Sequence, residues 1–183
     1  MPYAAELELD AGAARVAVEA MQHLERTSGL ETPRALGVPP HLSLAVWETV
    51  EPAELRPRLD AIARELTPPL LRLGSLGLFG GASAVLFLAP VPSAELLDFH
   101  AAFHRAFADL DPQCWPYYRP GRWVPHVTLA AGLDASAVGT AAAAVAPGWS
   151  PIEAQVAALG LIRFRPVELL HRVPFERGTA ATG

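Results

Sequence analysis

The sequence predicts an α+β fold built by internal duplication, with two antiparallel sheets facing a central groove and helices on the outside. Three observations carry this. A short phrase is written twice, Pro40-His41-Leu42-Ser43-Leu44-Ala45 and Pro125-His126-Val127-Thr128-Leu129-Ala130. Each copy is followed by a helical pattern and then by two strand-like stretches, so motif, helix and strand pair recur in the same order. With 183 residues, 51% apolar and 18% charged, the chain is large and apolar enough to pack a core. The prediction is one bilobal domain over residues 1–175, with motif 1 at 41–44, motif 2 at 126–129, and residues 176–183 as a disordered tail.

The elements follow in order. Tyr3 to Leu9 alternates as a strand, and Asp10 is placed to cap a helix carrying Val16, Ala20 and Leu24, which the Gly- and Pro-rich residues 29–40 end. Motif 1 alternates as a strand with Leu42, Leu44 and Val46 on the core face and His41, Ser43 and Trp47 on the other. Leu55, Leu59, Ile62 and Leu66 give the stripe of a surface helix. Leu70 to Phe79 and Ala84 to Ala89 form a hairpin around Gly80-Gly81. A helix from Ser93 to Leu110 turns Leu96, Phe99, Phe103 and Phe107 inward and leads into a loop, 111–123, dense in proline and aromatic residues. Motif 2 repeats the alternation, with Val127, Leu129 and Ala131 inward and His126 and Thr128 outward. An alanine-rich helix from Asp134 to Ala146 and strands at Ile152 to Phe164 and Val167 to Val173 complete the pattern.

Proline lacks an amide proton and belongs at a strand's first residue or edge, so the prolines before His41 and His126 put both imidazoles near a rim. Imidazole takes or gives a proton near neutral pH, and a matched pair suits a reaction needing a base on one side and an acid on the other. The hydroxyl two residues on, Ser43 or Thr128, shares the histidine's face and can donate a hydrogen bond.

Several classes are disfavoured. A net charge of −5 argues against duplex DNA as a partner, though a nucleotide or short RNA end needs only local positive charge, from Arg119, Arg122, Arg163 or Arg165. No apolar run reaches membrane-spanning length and the N-terminus lacks the pattern of a signal peptide, so the expected location is the cytoplasm, with a monomer favoured. The lone Cys114 fits a reducing compartment. His100 and His104 lie one helical turn apart, without the glutamate or third ligand of a zinc site, and read as flanking the helix's buried face; no metal or cofactor is expected. Gly74-Ser75-Leu76-Gly77 is one residue short of a nucleophile elbow.

The paired Pro-His-x-Ser/Thr-Leu phrases, with the lead-in Pro120-Gly121-Arg122-Trp123-Val124-Pro125, resemble the signature of the two-histidine (2H) phosphoesterase superfamily, which includes bacterial 2′-5′ RNA ligase-like proteins and cyclic phosphodiesterases. The resemblance implies a duplicated bilobal fold and metal-independent cleavage of a phosphoester, often a nucleoside 2′,3′-cyclic phosphate. By it, His41 and His126 flank the scissile phosphate, and Ser43 and Thr128 donate to its nonbridging oxygens. Nothing after motif 2 supplies the basic residue some relatives carry there; Arg122 is the preferred phosphate contact, with Tyr118 and Trp123 as stacking surfaces for a base. The motifs are nearly equivalent, so spacing does not assign the roles: His126 as base and His41 as acid is the favoured assignment, and the reverse stays open. The alternatives are a nucleotide- or RNA-binding module without turnover, reversible 2′-5′ RNA joining, and a metal-dependent hydrolase.

Overall fold

The computed structural model describes residues 2–164 and 166–175; Arg165 and the 176–183 segment read as a tail lie outside the described residues. Its elements are β1 (Tyr3–Leu9), α1 (Ala11–Ser28), β2 (His41–Trp47), α2 (Pro52–Glu65), β3 (Leu71–Phe79), β4 (Ala84–Pro90), α3 (Ala94–Ala106), β5 (Val127–Leu133), α4 (Ala135–Val145), β6 (Ile152–Ala154), β7 (Val156–Arg163) and β8 (Glu168–Pro174). The strands form two four-stranded antiparallel sheets, β2-β1-β7-β8 and β5-β4-β3-β6. Helices α2 and α3 contact the first sheet, while α1 and α4 pack on each other and on the second.

The caps explain the helix starts. The Asp10 carboxylate accepts from the Gly12 and Ala13 amides, Ser93 from Leu96, and Asp134 from Ser136 and Ala137, satisfying first-turn donors that have no partner within the helix. Gly29, at φ 62°, closes α1 in the left-handed conformation. The buried face of α1 is Ala13, Ala17, Met21 and Leu24, so Val16 and Ala20 flank the stripe rather than centre it. Helix α3 stops at Ala106, and the run to Gln113 continues as a 3₁₀ turn containing Pro112.

The duplication is real but phased differently from the motif-helix-strand-pair reading. β1-α1-β2-α2-β3 matches β4-α3-β5-α4-β6/β7, and the break falls inside the predicted hairpin. The third strand of each repeat crosses over: β3 pairs with β4 in the second sheet, and β7 pairs with β1 in the first. The predicted strand from Ile152 to Phe164 is therefore two, because β6 serves one sheet and β7 the other. Gln155 marks the break, with its amide donating to the Asp10 carboxylate (2.7 Å) and its carbonyl accepting from the Asp10 amide (2.8 Å).

Both motif strands carry a β-bulge at the same place. Opposite β1, Ser43 faces Glu6 and Ala45 faces Ala5, leaving Leu44 as the extra residue; opposite β4, Thr128 faces Phe87 and Ala130 faces Leu86, leaving Leu129. An extra residue reverses the alternation beyond it. Trp47, expected on the face of His41, consequently turns into the core against Phe103 and Phe107 (ring centroids 6.4 and 5.6 Å apart). Val46 takes the place on the histidine face, with Ala4 and Ile162. In the second strand Ala131, expected inward, is exposed.

Candidate active site

β2 and β5 are edge strands of their sheets and touch one another, which brings the two motifs together. His41 opens β2 and His126 immediately precedes β5. Each imidazole is anchored alike. Nδ1–H of His41 donates to the Pro39 carbonyl (2.9 Å) and Nδ1–H of His126 to the Val124 carbonyl (2.8 Å). A carbonyl can only accept, so this contact fixes the tautomer and leaves Nε2 of both rings for proton transfer.

The surroundings then diverge along two equivalent cross-strand rows. Over β7, β1 and β2 the row is Gly160, Glu6, Ser43; over β3, β4 and β5 it is Gly77, Phe87, Thr128. In each, a glycine leaves room for the large side chain at the centre. A Cβ on Gly77 would come within 2.2 Å of the Phe87 ring, and one on Gly160 within 3.2 Å of Glu6 Cγ. His126 packs edge-on against Phe79 (5.0 Å) and beside Phe87 (5.5 Å). Burial pushes the His126 pKa below the usual imidazole value, the Val124 contact opposes this, and the nearby charge of His41 lowers it further. In the other row Glu6 Oε2 lies 3.5 Å from His41 Nε2.

The chain as a whole has counterparts among known proteins. Residues 11–168 match the family described as the 2′-5′ RNA ligase superfamily. The chain belongs to that superfamily. Three solved structures share the fold: TT0787 of Thermus thermophilus (20% identity, TM-score 0.63, covering 96% of this chain and 98% of that one), a protein described as a phosphoesterase (17%, 0.54, 96% and 98%), and Escherichia coli LigT complexed with 3′-AMP (18%, 0.57, 97% and 100%). A search of curated proteins gives no significant match.

Within this 2′-5′ RNA ligase superfamily chain, the remaining predicted site residues are distributed unevenly. Ser43 is buried opposite Glu6, and Thr128 is half-buried opposite Phe87. Tyr118 reaches the site: it packs on the Ala4, Val46 and Ile162 cluster, its ring 6.3 Å from that of His126. Trp123 does not present a free face. It is 8% exposed, stacks flat on His100 at 3.9 Å and donates Nε1–H to the Ser43 carbonyl (3.0 Å). Arg122 is exposed on the turn before His126. Arg119 is occupied by the loop, donating to the Cys114 and Pro112 carbonyls. Arg163 pairs with Glu168 and stands beside Tyr3, on the face of its sheet opposite Glu6.

His100 and His104 face inward, contrary to their expected flanking position, and support the motif 1 bulge. Nε2–H of His100 donates to the carbonyls of Leu44 (3.1 Å) and Tyr118 (3.0 Å); Nε2–H of His104 donates to the same Leu44 carbonyl (3.2 Å), with Nδ1 at 3.0 Å from Asp111. The bulged residue's carbonyl, turned out of the ladder, thus finds partners in the core. Burial, with the charge of His104, lowers the His100 pKa to about 4.

Sequence reasoning missed Glu6, Phe79, Phe87 and the two glycines. Their signal exists only in the pairing, since each is remote in sequence from the histidine it serves. Among the described residues no three His, Cys, Asp or Glu side chains converge as metal ligands, and no helix is long and apolar enough to cross a membrane. Two cavities, of about 1010 Å³ beside α2 and β8 and about 530 Å³ between α1 and α4, are lined by neither motif histidine.

Proposed function

We propose that this chain is a phosphoesterase that opens a nucleoside 2′,3′-cyclic phosphate, or the same group at an RNA end, by two-histidine acid–base chemistry that needs no metal. The observation carrying this is the common anchoring of His41 and His126, each through Nδ1, with the two Nε2 atoms in contrasting surroundings. His126, held neutral by its apolar shell, takes a proton from water as the water oxygen attacks phosphorus. His41 gives its Nε2 proton to the departing 3′ oxygen as that P–O bond breaks, and the product is a 2′-phosphate. Ser43 and Thr128 hydroxyls donate to the nonbridging oxygens as charge develops. Arg122 adds positive charge at the rim, and Tyr118 offers the aromatic surface for a base.

The complex of LigT with 3′-AMP supports a nucleotide-sized ligand. The superfamily's description also favours a second reading on the same site, reversible 2′-5′ joining, in which a 5′ hydroxyl replaces water. Phosphorus NMR of chelator-treated protein with 2′,3′-cyclic nucleotides tests the first reading. Turnover to a 2′-phosphate, lost in both His41→Ala and His126→Ala, is expected. Protein that binds these nucleotides and RNA ends without turning them over sinks the hydrolytic reading, and a joined product from RNA halves establishes the second.

A further inference from the structure

We propose that Glu6 is a positioning residue for His41: its buried carboxyl and the imidazole hold one proton between Oε2 and Nε2, and this pairing makes His41 the proton donor of the two histidines. The proposal deepens the phosphoesterase reading and rests on it for the direction of proton flow.

Glu6 sits at the centre of its row, opposite Ser43 on one side and Gly160 on the other, and its side chain lies over the glycine. It is 1% exposed, and among the described residues Oε2 has no hydrogen-bond partner. A buried carboxylate must be neutralised by a proton or by a cation, because low-dielectric surroundings penalise the lone charge. The groups around it leave one candidate. On its own strand the nearest charge is Glu8, another carboxylate, which Arg172 of β8 already engages through Nε at 2.8 Å. Just ahead of β5 stands His126 in its apolar shell. His41, on β2, is the group within reach at 3.5 Å.

Burial raises the Glu6 pKa above the usual carboxylate value, His41 counters this, and Glu8 adds to the rise. Carboxylate with imidazolium and carboxylic acid with imidazole are two layouts of the same single proton. When Nε2 passes that proton to the leaving oxygen, the pair is left with an uncompensated buried carboxylate and draws a proton back. The proton that His126 took from water returns to solvent, so the cycle balances. The second row has Phe87 where the first has Glu6, and His126 gains no such partner.

The test compares wild type with the near-isosteric Glu6→Gln. In Glu6→Gln the basic limb of the kcat/KM–pH profile should move to lower pH, because the proton donor loses the opposite charge beside it. The acidic limb should stay in place. Carbon-13 NMR of the Glu6 carboxyl in wild type and His41→Gln gives a readout that requires neither turnover nor a folded Glu6 variant: the carboxyl titration should be displaced when His41 is replaced. Superimposable profiles, or a Glu6 titration indifferent to His41, overturn the pairing. Coupled titrations in a protein that turns over no cyclic phosphate sustain the pairing and reject the phosphoesterase reading instead.

Discussion

The Gly160–Glu6–Ser43 row and the Gly77–Phe87–Thr128 row have the same backbone plan, the same bulge beyond the hydroxyl and a histidine anchored in the same way. They differ at the central side chain, a carboxyl in one and a phenyl ring in the other. In the proposed reaction the two histidines take opposite roles, and two imidazoles in identical surroundings would share acid and base at random. The central side chain of each row supplies the contrast: the apolar surroundings that include Phe87 lower the His126 pKa, while the first row sets a buried carboxyl 3.5 Å from His41.

The largest expected effect comes from breaking each row at its histidine. His41→Ala and His126→Ala should each lose about 10²- to 10⁴-fold in turnover of a cyclic phosphate, read by phosphorus NMR. A substrate with sulfur in place of the leaving oxygen, which departs without protonation, should restore much of the loss in His41→Ala and little in His126→Ala. Equal restoration would abolish the distinction between the rows. Next, Ser43→Ala and Thr128→Val should each lower kcat by about 10²-fold if the hydroxyls stabilise developing charge, with KM changed much less.

The glycines sharpen the comparison through stability. Gly77→Ala drives a methyl into the rigid Phe87 ring and should cost about 1–3 kcal/mol by denaturant titration, whereas Gly160→Ala meets the flexible stem of Glu6 and should cost less. The pH dependence of stability is of similar size, and it too distinguishes the rows. His126 and His100 both have folded-state pKa values below the unfolded imidazole value, so the unfolded chain binds more protons and stability falls as pH drops below about 6.5. For His100 the loss extends down to about pH 4, on the order of 3 kcal/mol if the unfolded state is near 6.5. Glu6 has the opposite sign: its raised pKa makes the folded protein the better proton binder, and its contribution is lost as pH rises through that value. Melting temperature followed from pH 7 to pH 4 should therefore drop more steeply in Glu6→Gln than in wild type.

Much of this was legible in the sequence. The alternation around each motif gave the strands, Asp10 and Asp134 announced their helices, and two like phrases placed two histidines near a common rim. The parts that were not legible depend on partners far along the chain. A bulge is created by the strand opposite, so nothing within His41–Trp47 reveals that Trp47 turns inward. The break at Gln155 follows from two sheets competing for one stretch of chain. Trp123 reads as a loop aromatic until His100, 23 positions earlier, is seen stacked beneath it. Arg119 carries a charge suited to phosphate, yet three carbonyl contacts within its own loop occupy it. Glu6 looks like the solvent-facing residue of an amphipathic strand, and only the glycine beside it and the imidazole above it show a buried group.

The exchanged third strands determine when this site can exist at all during synthesis. The strand bearing His41 is held by β1, whose other neighbour is β7, and that pairing joins Tyr3 to Arg163. A chain emerging from the ribosome exposes both histidines long before it has the residues that seat Glu6, and the first sheet must wait with an open edge for its closing strand. Assembly is thereby tied to completion: a nascent or truncated chain ending before β7 would carry both motifs and lack the strand against which Glu6 packs.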